Sequence, residues 1–191
     1  MRKMTLNGIA VGLLTVILVW TTTRIGSGDF HSLAAFLSGT GNNSYLWGTN
    51  LSLIVWAVYL RRQSIAWLAL KIDAAVLIVV HSFKILSEHV MLGLWTLRPS
   101  GSPDGFPSGH ATHAFAMAFL MSYFFPRFWL LWYCVAAGIA WSRIEVSAHT
   151  PFQVTAGICF GLAIGYGFVH NWQSHPDPIK HSKSSPTKLA A

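Results

Sequence analysis

The sequence predicts an all-α fold, an integral membrane bundle of about six transmembrane helices. Hydrophobic residues make up 53% of the chain and charged residues only 10%, too little charge to cover a soluble domain. Apolar stretches recur at close to the ~20 residues that cross ~30 Å of hydrocarbon as a helix. The ~10-residue alternation of a barrel strand does not occur, and lipid admits only helices or closed barrels.

The first stretch runs from Leu6 to Thr23. Met1, Arg2 and Lys3 ahead of it could open a secretory signal peptide, but no Ala-x-Ala-like cleavage site follows, so a retained anchor helix is expected. The second spans Tyr45 to Leu60. Residues 61–72 carry charged ends and a tryptophan, and are expected to lie in the interface before the third crossing, Ile72 to Trp95. The fourth and fifth, His110 to Phe125 and Phe128 to Trp141, are short. The sixth, Phe152 to Val169, holds Gly157, Gly161 and Gly165 at four-residue spacing, a small-residue face that admits a close neighbour. Residues 1–170 are expected to form one transmembrane domain, with a motif core at about 70–170, and residues 171–191 a disordered basic cytoplasmic tail.

The net charge of +7 is distributed as in a membrane protein. Arg2, Lys3, Arg61, Arg62, Arg127, Lys180, Lys183 and Lys188 fall on one side of a six-helix layout, and Arg24, Arg98 and Arg143 on the other. The positive-inside rule then makes both termini cytoplasmic and turns the Arg98 and Arg143 loops outward. No basic helix or interleaved aromatic stripe tracks a nucleic acid. Cys134 and Cys159 lie in apolar segments as small hydrophobes, and no Cys-x-x-Cys or His-Glu-x-x-His spacing marks a metal site.

Chemistry concentrates in two loops, because ionisable side chains beside a bilayer are costly and therefore functional candidates. In Pro107-Ser108-Gly109-His110, Ser108 is expected to cap a helix. Gly109 opens the backbone to a ligand at a helix start, whose free amides and dipole favour an anion. In the second loop Thr150 is the expected cap and Pro151 the first helical residue, with His149 just ahead and Gln153 able to reach back to its imidazole. Arg98 and Arg143 supply planar forks suited to phosphate oxygens. Together these groups suit phosphoryl transfer: one neutral imidazole attacks phosphorus, the other delivers a proton to the leaving oxygen, and the arginines hold the equatorial charge.

Three motifs in this order resemble the type 2 phosphatidic acid phosphatase family, related to vanadium haloperoxidases and glucose-6-phosphatase: Arg98-Pro99, Pro107 to His110, and Ser142-Arg143 with His149. The resemblance covers about residues 70–170. It implies that His149 is the nucleophile forming a phosphohistidine, that His110 is the general acid, and that Arg98, Arg143, Ser108 and Gly109 bind the phosphate. Two positions depart from the family pattern. Met91 stands where the family has lysine, with Lys84 two helical turns back as a candidate substitute, and Gln153 stands where the family has aspartate, as in glucose-6-phosphatases.

The remaining polar residues take ordinary readings. His113 is expected to be packed or interfacial; Asp73, His81, Lys84 and Glu88 are expected to satisfy one another inside the bundle; Asp104 and Glu145 are expected to be solvated.

The expected function is therefore a membrane lipid phosphatase without cofactor or metal, acting on a lipid phosphomonoester or diphosphate of the phosphatidic acid, undecaprenyl diphosphate, phosphatidylglycerol phosphate or lipid A type. Its partners are that substrate and membrane lipids, not nucleic acid, and its expected place is a bacterial inner membrane with the site facing the periplasm or cell exterior. A lipid phosphotransferase and a degenerate binding protein are the alternatives.

Overall fold

The computed structural model describes residues 1–22, 31–90 and 92–174, and no strand occurs among them. Arg24, Met91 and residues 175–191 lie outside the described residues. The helices are α1 (Arg2–Thr22), α2 (His31–Phe36), α3 (Asn42–Tyr59), α4 (Gln63–Val90), α5 (Gly109–Phe124), α6 (Trp129–Glu145) and α7 (Pro151–Ser174), with a π-turn at Leu37–Gly41 after α2. Three of them, α1, α4 and α7, are long and apolar enough to cross a membrane. The protein is an all-α membrane bundle.

The core forms around α5, in which every residue from Ala111 to Ser122 is buried. Such a helix, apolar all round, belongs inside a bundle. It packs against α7, α6, α4 and α3, while α1 covers α6 and α7. The glycine stripe of α7 receives α5: a Cβ on Gly157 would meet the Ser108 carbonyl at 2.6 Å, and one on Gly165 would meet the Phe119 Cβ at 2.9 Å. Only glycines allow this approach, which brings the starts of α5 and α7 side by side.

Two boundaries differ from the sequence reading. Within the expected interfacial segment at 61–72, residues 63–72 are the beginning of α4, which runs unbroken from Gln63. Ile65, Leu68, Ala69, Ile72, Val76 and Val80 form one buried stripe, and burial along a single face outweighs the low hydropathy of its first turn. The helix stops at Val90, and Gly93 (φ 123°) turns the chain into a short 3-10 turn at Leu94–Thr96. The expected tail beyond residue 170 begins as helix, because α7 continues to Ser174. Trp172 holds it there, stacked edge-on against Tyr123 and Phe124.

Both α3 and α6 end in the same closure. Arg62 N–H donates to Ala57 C=O and Arg61 N–H to Val58 C=O, with Arg61 at φ 53°; Ala148 N–H donates to Arg143 C=O and Ser147 N–H to Ile144 C=O, with Ser147 at φ 52°. This is the Schellman pattern, here made without the usual glycine.

Candidate functional site

The site lies where α5 and α7 begin and where α4 and α6 end. The Schellman turn at Ser147 folds the chain back so that His149 N–H donates to the Arg143 carbonyl at 3.1 Å. Arg143 and His149, six positions apart, are thereby held in one turn. Ser108 N–H donates to the Gln153 carbonyl at 3.0 Å, tying the start of α5 to the first turn of α7.

His149 is buried, and its ring is oriented from one side. Nδ1 lies 2.9 Å from the Gly105 carbonyl oxygen and 3.3 Å from Gln153 Oε1. A carbonyl only accepts, so Nδ1 carries the proton and Nε2 keeps its lone pair. Gln153, fully buried, has its amide orientation settled by four partners. Its Nε2 donates to Leu97 O (2.7 Å) and Trp95 O (3.1 Å), so Oε1 must face His149 and the Thr150 amide (3.1 Å). The Thr150 hydroxyl accepts the Gln153 N–H at 3.4 Å, completing a reciprocal capping box with Pro151 at the first helical position.

The same geometry shows what an amide at position 153 does that a carboxylate would not. Replacing Gln153 with glutamate keeps the size but turns an oxygen toward two carbonyls. Gln153→Glu is expected to cost about 2 kcal/mol of stability and to lower phosphatase activity. Thermal denaturation of the purified protein checks this, and a Tm equal to the parent's would overturn it.

The loop that carries Arg98 is fastened by aromatic rings. Phe106 meets Trp95 edge-on at 4.7 Å, stacks on Phe152 at 5.7 Å and meets Phe83 edge-on at 5.3 Å. Gly105 passes so close to α7 that a Cβ there would meet the Thr96 carbonyl at 2.6 Å as well as the Gln153 amide. That approach lets the Gly105 carbonyl reach His149. Sequence reading assigned Gly105 nothing, and no local signal marks it apart from other loop glycines.

Arg98 does not stand free. Its Nη2 donates to Asp104 Oδ2 at 2.7 Å, Ser102 donates to the other carboxylate oxygen, and Lys84 Nζ lies 4.0 Å from Oδ2. Burial alone would raise the Asp104 carboxyl; the hydrogen bonds from Ser102 and Arg98, with the charges of Arg98 and Lys84, outweigh it and hold the group below the usual carboxylate range. Asp104 is therefore an ion-pair partner, not the solvated loop acid expected. Lys84 also departs from expectation, since its partner is Asp104 rather than Glu88. The loop folds back over the end of α4, which brings Asp104 to Lys84. The other expected α4 pairing fails similarly: Asp73 binds His113 Nε2 at 2.9 Å, and His81 bonds to its own helix at Leu77 O.

Arg143 is buried and reaches back to the π-turn, where its Nη1 donates to the Ser38 carbonyl at 3.2 Å and to the Ser38 hydroxyl. Ser38 was not legible as a site residue. A π-turn often marks a functional position, and here it supplies two oxygens to one guanidinium. The Nε atoms of both Arg98 and Arg143 are buried without a partner in the protein.

Ser108 occupies the N-cap position of α5, but its hydroxyl caps nothing; Oγ is buried with no partner. The expected cap is thus corrected. The α5 start leaves its first-turn amides without helical partners, and Gly109 and His110 are half-buried beside them. His110 stands within electrostatic reach of Arg143, Lys84 and Arg98, and His149 within reach of the same two arginines. One small region therefore gathers two imidazoles, two guanidiniums and a helix start, all suited to a phosphoryl group.

A profile of the PAP2 superfamily matches residues 31–176, a span that takes in every one of these residues. The chain belongs to the PAP2 superfamily. No curated protein and no solved structure matches it. It is a phosphatase of the PAP2 type, a phosphoric ester hydrolase, in a membrane-spanning bundle.

Proposed function

We propose that the protein is a lipid phosphatase that works through a phosphohistidine, with His149 as nucleophile and His110 as general acid. The observation that carries the reading is that the Ser108 N–H to Gln153 carbonyl bond sets the starts of α5 and α7, and with them His110 and His149, side by side, while His149 Nδ1 faces two acceptors and leaves Nε2 free to attack. In the first step the Nε2–P bond forms as the P–O bond to the lipid breaks, and the His110 proton passes to the departing oxygen. Water then attacks phosphorus, neutral His110 takes its proton, and the P–N bond breaks to release phosphate and His149. Arg98, Arg143, Gly109 and Ser108, with the first-turn amides of α5, meet the charge on the phosphoryl oxygens, and Lys84 adds charge at the rim. That supply of positive charge is the basis for proposing metal-independent chemistry.

A lipid substrate is favoured because the groups sit at helix ends of a bundle rich in outward-facing apolar side chains, such as Leu77, Ile78, Leu130 and Leu131. The site end faces away from the turns that hold Arg61, Arg62 and Arg127, which supports a site on the periplasmic or outer face of a bacterial inner membrane.

Purified protein is expected to release phosphate from one or more of phosphatidic acid, phosphatidylglycerol phosphate, undecaprenyl diphosphate and lipid A in the presence of EDTA, with inhibition by vanadate. Absence of phosphate from every substrate would remove the phosphatase reading. Strict dependence on added magnesium would remove metal independence. Transfer of the phosphate to an added lipid alcohol would move the assignment to phosphotransferase.

A further inference from the structure

Of the two arginines in the site, Arg98 is paired with an acid, Asp104, whereas no carboxylate lies within ion-pair distance of Arg143 among the described residues. Arg143 is only 9% exposed, and a buried charge without a counter-charge is costly. Its side chain is held instead by Ser38. The Ser38 carbonyl accepts from Nη1 at 3.2 Å, and the Ser38 hydroxyl accepts from the same nitrogen.

The π-turn is what makes that contact available. In an α-helix the Asn42 N–H would donate to the Ser38 carbonyl, four positions back. Here it turns to the carbonyls of Leu37, five positions back, and Gly39. The widened turn thus takes the Asn42 amide off the Ser38 carbonyl and leaves that oxygen to the guanidinium. The turn packs on α6, the helix that carries Arg143, and Ser38 is itself buried there.

With Nη1 occupied, the guanidinium keeps the edge formed by Nε and Nη2. Nε is buried without a partner, and Nη2 donates to no described residue. The two N–H groups of that edge match two oxygens of a phosphoryl group. The carbonyl of the same residue accepts the His149 N–H at 3.1 Å, so the head and the root of Arg143 are both fixed relative to His149. A side chain fixed before its ligand arrives loses less rotamer freedom on binding. Because both Ser38 oxygens are neutral, they fix the guanidinium without cancelling its charge.

We infer that Ser38, which lies outside the three motifs, is a positioning residue for phosphate binding: it holds Arg143 with the Nε–Nη2 edge open to the phosphoryl oxygens. The inference rests on the reading of Arg143 as a phosphate ligand and adds the residue that orients it.

Two measurements on the purified protein in detergent test this: vanadate binding by isothermal titration, and the kinetics of nitrophenyl phosphate hydrolysis. Ser38→Ala is expected to raise the vanadate Kd and the KM about five- to tenfold, the effect of one hydrogen bond to a charged group, with kcat within about twofold of the parent. Arg143→Ala is expected to raise the Kd about a hundredfold, and Ser38→Ala in that background to add less than about twofold, because the two residues act as one unit. A general loosening of α2 against α6 would instead lower kcat and add to the Arg143 loss. A Kd and KM unchanged by Ser38→Ala overturn the inference, as does a loss confined to kcat or one that adds fully to that of Arg143→Ala. A Kd unchanged by Arg143→Ala overturns the phosphate-binding reading of Arg143 and the inference with it.

Discussion

Replacing His149 with alanine is expected to lower phosphate release by about four orders of magnitude or more, the usual scale for losing a covalent nucleophile. Burial of the ring, followed by the charges of Arg143 and Arg98, pushes its pKa down to about 3, against the smaller opposing effect of the bonds to Gln153 and Gly105. The imidazole is therefore neutral above that pH, and the Nδ1 proton is committed to the Gly105 carbonyl and Gln153. A neutral ring held in this tautomer presents Nε2 as a lone pair without a prior deprotonation. The phosphoenzyme distinguishes this from a role as base: turnover of the parent quenched in alkaline denaturant should yield an acid-labile, alkali-stable phosphoprotein, and the variant none. Parent-like turnover in the variant, or the same phosphoprotein, would remove His149 from the covalent step.

Much of this site was readable because its residues begin helices. Pro151, Thr150 and Ser108 mark helix starts by their backbone chemistry, so His110 and His149 could be placed at helix ends before any coordinates. Gln153 was expected to reach His149 from the spacing alone, four positions on, and it does so at 3.3 Å. Contacts between distant segments were not readable. Arg143 meets Ser38 across 105 positions, and His113 meets Asp73 across 40. Such pairs depend on which faces two helices turn toward each other, and a face is set by packing over its whole length. Asp104 was closer to legible, since Ser102-Pro103-Asp104 has the composition of a turn that could fold an acid onto Arg98. The start of α4 was missed for a related reason: Arg61, Arg62 and Gln63 lower local hydropathy, whereas the buried stripe beginning at Ile65 keeps its period.

Replacing His110 with alanine is expected to lower turnover of a lipid phosphate by about two to four orders of magnitude, the range for losing a positioned acid. The size of the loss should depend on the leaving group. A lipid alkoxide is strongly basic and departs only as it is protonated, so the proton from His110 is needed while the P–O bond breaks. A nitrophenolate departs without that help. The His110→Ala variant should therefore lose far less activity on nitrophenyl phosphate than on phosphatidic acid, whereas His149→Ala should lose both alike. In the proposed mechanism a substrate dianion held by Arg98 and Arg143 would be the counter-charge for the imidazolium that does this work, which would link the acid to phosphate binding. His110 stands beside those two guanidiniums and Lys84, so its removal also alters the charge on the phosphoryl group. An equal loss on both substrates would assign it that binding role and leave the leaving oxygen to be protonated by another group.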